Sequence, residues 1–170
     1  YSVYIYNYRY KHNQQKNTSR NFNYNKTDKP RFPKHKISTT NINKATAEDF
    51  KTINGIGSAF SERIIKYRSK LQGFSFHNQL YEIWGLEKEV ADRVLSVFNI
   101  KTKPLIKKEN VNTLEFKQLL KNPYVDYKLC KMIFEYRDEV AELQDITELK
   151  NIKDFPLELY DRIVLYLLAE

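Results

Sequence analysis

A chain of 170 residues carrying 29 Lys and Arg against 21 Asp and Glu, with four glycines, three histidines and one cysteine, excludes several classes at once. The single Cys130 rules out an internal disulfide framework and a Cys-based zinc cage, and His12, His35 and His77 stand too far apart for ligand spacing, so neither a metal nor a cofactor is expected. Walker-type and Gly-x-Ser-x-Gly strings are missing, and the longest apolar run, Ile163 to Ala169, is far below the roughly 18 residues that span a bilayer. The chain reads as soluble, and its start at Tyr1 without methionine fits a processed or truncated product.

Charge is distributed unevenly. Residues 1–40 hold nine basic residues and one acid, net +8; residues 41–110 hold 12 basic and 8 acidic residues, net +4; residues 111–170 hold 8 basic and 12 acidic residues, net −4. The first 40 residues mix Tyr, Asn, Lys and Arg with no helical period and with Pro30 and Pro33, which predicts a disordered basic arm. Tyr4, Tyr6, Tyr8 and Tyr10 alternate as in a strand, but a lone strand has little to pair with.

From residue 41 the sequence predicts short helices. Thr46-Ala47-Glu48-Asp49 forms a capping box that opens the first, and Asn54-Gly55-Ile56-Gly57 makes a tight turn. Ser58 then caps a longer helix to about Leu71. A short helix spans roughly Asn78 to Ile83, Trp84-Gly85-Leu86-Glu87 turns again, and a fourth helix runs from about Lys88 to Phe98. Residues 101–110, with Pro104, read as a linker.

Sliding the sequence on itself by 69 positions shows that this pattern occurs twice. Asn43 meets Asn112, Ile64 meets Ile133, Tyr67-Arg68 meets Tyr136-Arg137, Leu80 meets Leu149, Ile83 meets Ile152, and Asp92-Arg93 meets Asp161-Arg162. In the second copy Asn112-Thr113-Leu114-Glu115 is expected to cap the opening helix, and the last helix begins near Pro156. The expected architecture is all-α: a basic arm (1–40), a first unit (41–100), a linker (101–110) and a second, degenerate unit (111–170).

The residues of the first turn point to an anion site. Gly55 and Gly57 let the backbone turn tightly and approach another surface closely, and Ile56 and Ser58 complete the turn. The helix that follows presents free amides and the positive end of its dipole at the same point, where a phosphate oxygen fits. Arg63, Lys66 and Lys70 on that helix supply flanking charge, while Arg68, matched by Arg137 in the acidic copy, reads as structural. Phosphate contacts of this kind hold nucleic acid without reading its sequence.

The stretch from Ile42 to Phe50, followed by Ile53-Asn54-Gly55-Ile56-Gly57 and by Ile64-Ile65-Lys66-Tyr67-Arg68, resembles the helix-hairpin-helix module of the ComEA competence family. The likeness covers residues 42–100 well and 111–168 more weakly. It implies sequence-independent binding of double-stranded DNA, often by an envelope-anchored receptor in DNA uptake, and hence a bacterial extracytoplasmic location, with a cytoplasmic one left open. It also makes the second hairpin, with Gly85 and Lys88, a secondary DNA contact. Phe60 stands where the family often has lysine, which removes one candidate contact.

The duller alternatives stay open. The glycines also suit a plain helical hairpin, and Trp84 suits a core or partner contact as well as intrusion on a DNA groove or stacking on a base. The second copy has Asn122-Pro123-Tyr124-Val125-Asp126 and Ile152-Lys153-Asp154-Phe155-Pro156 at its hairpins, without glycine, which fits a structural or protein-binding role. Cys130, aligned with Ser61, reads as a small core residue. No catalytic constellation or small-molecule site is visible, so a non-enzymatic DNA binder is expected. One rival is a protein-interaction module of a membrane uptake or secretion apparatus with no direct DNA role, and a second is a nucleic-acid enzyme subunit in which this chain merely delivers substrate.

Overall fold

A computed structural model describes residues 35–170; residues 1–34 of the arm expected over residues 1–40 lie outside them. The described chain is helical with very little strand, as the all-α reading required. It opens with α1 (Ala47–Lys51), α2 (Ser58–Lys70), a 3₁₀ turn (His77–Glu82) and α3 (Lys88–Val97). After β1 (Glu109–Asn110) come α4 (Phe116–Leu119), α5 (Tyr127–Val140), 3₁₀ turns at Ile146–Asn151 and Leu157–Leu159, α6 (Tyr160–Ile163) and β2 (Leu167–Leu168).

The five residues of α1 are too few to form a stable helix unaided. Asp49, fully buried, holds them in place. Its carboxylate accepts from the Thr46 and Ser38 amides and from both hydroxyls at 2.7–2.8 Å, and His35 Nε2 lies 3.1 Å away. Burial pushes this carboxyl up, but the hydrogen bonds from Ser38 and Thr46 outweigh it and hold the group far below the ordinary carboxylate range. The same bonds tie residues 35–40, which the sequence reading placed in the arm, to the first unit.

Two apolar cores follow the two copies. Phe50, Ile64, Leu71, Phe74, Leu80, Val94 and Phe98 anchor the first, with the Phe50 and Phe98 rings 4.9 Å apart. Leu119, Cys130, Ile133, Leu143, Leu149 and Ile163 anchor the second. Each fully buried side chain of this size contributes about 1.5–3 kcal/mol. Burial also pushes the Cys130 thiol up and keeps it protonated.

Polar ties recur at the 69-residue step. The Arg68 guanidinium donates to the Ile42 and Ala45 carbonyls, and Arg137 to those of Val111 and Leu114. Asn43 clamps the backbone of Phe74 through both ends of its amide, and Asn112 does the same to Leu143. A parallel bridge, Asn41 with Asn99, closes the first copy, and the β1–β2 pair, Asn110 with Leu168, closes the second. Asn112 is therefore a clamp rather than a cap. The capping position belongs to Glu115, whose amide donates to the Gln118 side chain at 2.7 Å.

Residues 35–170 form one compact body, and Glu82 joins its two cores. Tyr67 and Tyr124 donate to Glu82 Oε2 at 2.6 and 3.0 Å, and Arg162 Nε lies 2.8 Å from Oε1. Gln79 donates to the Tyr124 hydroxyl, and the Tyr166 hydroxyl donates to the Leu71 carbonyl. Burial, then the bond to Glu82, pushes the Tyr67 phenol well up, so it remains a donor at neutral pH. The linker is packed as well: a Cβ at Gly73 would come within 2.6 Å of Pro104.

Candidate nucleic-acid interface

The two hairpins of the first unit are related by a step of 30 residues. Ile53-Asn54-Gly55-Ile56-Gly57 leads into α2, and Ile83-Trp84-Gly85-Leu86-Glu87 leads into α3. Each helix braces the other's hairpin: Arg63 on α2 donates to the Trp84 carbonyl at 2.6 Å, and Arg93 on α3 donates to the Asn54 carbonyl at 2.9 Å. The isoleucines and Leu86 are buried, while Asn54, Gly55, Gly57 and Ser58 are exposed.

The two glycines of the first hairpin differ in purpose. Gly55 has φ +97°, and a Cβ there would press on Arg93 and Val90 at 3.1–3.3 Å, so both the turn and the packing require glycine. Gly57 has φ −94° and ψ −173°, which any residue adopts, and a Cβ there would meet nothing within 4 Å. It is the N-cap of α2, the position expected for Ser58, which instead begins the helix. No side chain caps this helix, so the amides of Ser58, Ala59 and Phe60 have no intrahelical acceptor. They carry the positive end of a 13-residue helix.

The equivalent position in the second copy is Asp126. Its carboxylate accepts from the Leu129 amide at 2.8 Å, so an acid of the chain itself occupies the start of α5. Tyr124, in the place of Gly55, points to Glu82 and Gln79. The second copy's hairpin is thus both filled and turned inward.

The expected flanking residues separate. Arg63 is engaged by the Trp84 carbonyl, its guanidinium 4.9 Å from the indole centroid and 5.1 Å from that of Phe60, so it braces the hairpins instead of standing free beside the nest. Lys66 is exposed and lies about 12 Å along α2 from Ser58. Lys70, about 18 Å away, lines a 180 Å³ cavity between the two copies with Lys107 and Lys121, and so shares no cradle with Gly57. At the second hairpin Gly85 has φ +75° and a Cβ there would lie 3.0 Å from Arg63, but the N-cap is the acidic Glu87. Lys88 pairs with Asp92 at 2.7 Å, a bond that raises its own pKa and lowers that of Asp92. Glu87 makes no capping hydrogen bond, so the start of α3 is uncapped like that of α2 but carries a carboxylate beside it.

Residues 35–98 match the helix-hairpin-helix motif. The match takes in α1 to α3 and both braced hairpins, and it begins at His35, where the chain docks on Asp49. Helix-hairpin-helix motifs are generally associated with non-specific DNA binding. No curated protein and no solved structure matches the chain. Among the described residues no group of three His, Cys, Asp or Glu side chains could hold a metal ion, and no helix is long and apolar enough to cross a membrane.

Sequence reasoning missed Arg93, Glu82, the capping bond of Asp126 and the exposure of Trp84. Two of these had a signal. The 30-residue step that pairs Gly55 with Gly85 also pairs Arg63 with Arg93, and the 69-residue step puts an N-capping residue type, Asp126, at Gly57. Nothing in the local pattern marks Glu82, whose partners lie in both cores.

Proposed function

We propose that the helix-hairpin-helix motif of this chain binds double-stranded DNA without reading its sequence, seating a backbone phosphate on the amides that follow Gly57. The contrast between the two copies carries this reading. One helix start is left uncapped and open to solvent, while its counterpart is occupied by a carboxylate of the chain itself. Lys66 and the net +8 of residues 1–40 add long-range attraction. The second unit serves as a brace that presents the first, held through Glu82 and Tyr124.

The finer reading is a non-enzymatic DNA receptor in uptake, extracytoplasmic and working beside a membrane apparatus, as the likeness to competence proteins implies. Exposed Tyr127 and Leu157 near the second unit's hairpins favour a protein contact there, the feature that the rival interaction-module reading relies on. Fluorescence anisotropy with several unrelated duplexes over a range of salt tests the reading. A footprint of roughly 4 to 8 phosphates gives a log K against log salt slope of about −4 to −7, alike for all sequences. Absence of duplex binding at low salt would leave only the interaction module.

A further inference from the structure

Trp84 is four-fifths exposed, at 81%, on the tip of the second hairpin. A tryptophan left in solvent forgoes the largest apolar burial any side chain offers, and nothing in the fold asks for it at this position. The hairpin turn itself depends on Gly85, and the corresponding tips elsewhere carry Asn54, Pro123 and Lys153. Its main chain is nevertheless held, and its ring meets a cation. The Trp84 carbonyl accepts from Arg63 Nη1 at 2.6 Å, and the Arg63 guanidinium lies 4.9 Å from the indole centroid, with the Phe60 ring on the same guanidinium at 5.1 Å. Phe60, Arg63 and Trp84 therefore form an ordered ladder running from the start of α2 to the tip of the other hairpin, with the indole as its open rung. Phe60 is also one of the residues whose amide the uncapped helix leaves free.

We propose that Trp84 is a base-stacking residue, and that its ligand is an unpaired nucleotide at a discontinuity in duplex DNA. This inference rests on the DNA-binding reading above and adds a substrate preference to it. A planar, polarisable ring backed by a cation is matched by a nucleobase, which offers a face of the same shape without regard to sequence. In an intact duplex the base faces are already stacked, so the indole gains only a groove contact. At a bulged or extruded base the face is free and unstacking costs little. The phosphate seat at Gly57 and the stacking rung at Trp84 belong to two hairpins braced by each other's arginines, so one can hold the backbone while the other receives a base.

Trp84 is the chain's single tryptophan, so its emission reports on this side chain alone. The full chain is titrated with a short duplex and with the same duplex carrying one unpaired thymidine, following label anisotropy for binding and indole emission for stacking. The bulged duplex is expected to bind roughly 5- to 100-fold more tightly and to quench the emission, and W84A is expected to bind the two duplexes with equal affinity. The W84A chain should fold as the parent does, because the replaced ring is exposed, and W84F should keep part of the preference. Saturated binding with unchanged emission, equal affinity for the two duplexes, or an undiminished preference in W84A would overturn the stacking role while leaving phosphate binding intact. Equal binding and quenching by the single strand alone would overturn the duplex context. Failure to bind any duplex would instead remove the DNA-binding reading on which the inference stands.

Discussion

Gly57→Asp separates the proposed phosphate seat from every other contribution of the first hairpin, because it is expected to raise stability while weakening binding. The backbone at Gly57 accepts any residue, and a Cβ there has open space, so the new side chain fits without strain. Its carboxylate can then do for α2 what Asp126 does for α5, accepting from the third amide of the helix, here that of Phe60. Aspartate in place of an N-cap glycine adds a few tenths of a kcal/mol, and its charge beside the helix dipole adds about as much again, for a gain of about 0.5–1 kcal/mol. Binding moves the other way. One or two amide bonds to a charged phosphate are lost, each about 1.5–3 kcal/mol, and the carboxylate repels the anion. A net loss of about 2–4 kcal/mol corresponds to roughly 30- to 700-fold in Kd. Duplex anisotropy and thermal melting on the parent, Gly57→Asp and Gly57→Ala, which leaves the amides open, read both quantities. A folded Gly57→Asp chain with the parent's affinity would refute the seat.

Asp126→Ala is expected to cost about 1 kcal/mol in urea unfolding and to leave duplex affinity unchanged, since that carboxylate caps its own helix. Asp49 supplies an acid dependence. Its folded-state value lies below the unfolded value near 4, so its stabilisation is complete above about pH 4 and drains away as pH falls below that; Asp49→Asn should remove this dependence in melting curves and cost about 2–4 kcal/mol. Tyr124→Phe deletes the bonds to Glu82 and from Gln79, and calorimetry should show about 1–2 kcal/mol lost from the union of the two cores. Deleting residues 1–34 should flatten the salt slope of duplex binding without abolishing it, whereas complete loss would mean that basic charge alone carries the affinity.

The helices were legible because their signals are local. Capping residues, the Gly55 and Gly85 turns and the apolar spacing of α2 fixed their starts to within a residue or so, and the all-α class followed. The 69-residue repeat made the ties of Arg68 and Arg137 intelligible as one device used twice. What the pattern could not carry was the destination of polar side chains. Arg63 and Lys88 look equally free on a helical wheel, yet one is consumed by a carbonyl 21 residues away and the other by an acid one turn on. Lys70 sits on the right helix but at its far end, and a sequence does not state which cavity a helix end faces. The contribution of Glu82 depends on Tyr67, Tyr124 and Arg162 arriving together, which only the packed fold reveals.

The parallel bridges that close each copy bring residues 41 and 99 side by side, and likewise residues 110 and 168. A segment whose ends meet can be copied in tandem, or reopened at another loop as a circular permutant, without disturbing its interior. For the two copies of the 69-residue repeat, closed ends mean that joining them takes little beyond the tether from Lys101 to Lys108. At the two positions where one copy has Gly55 and Gly57, the other has Tyr124, which reaches across to Gln79 and Glu82, and Asp126, which caps its own helix, so a single turn position supplies the joint that fixes the twin.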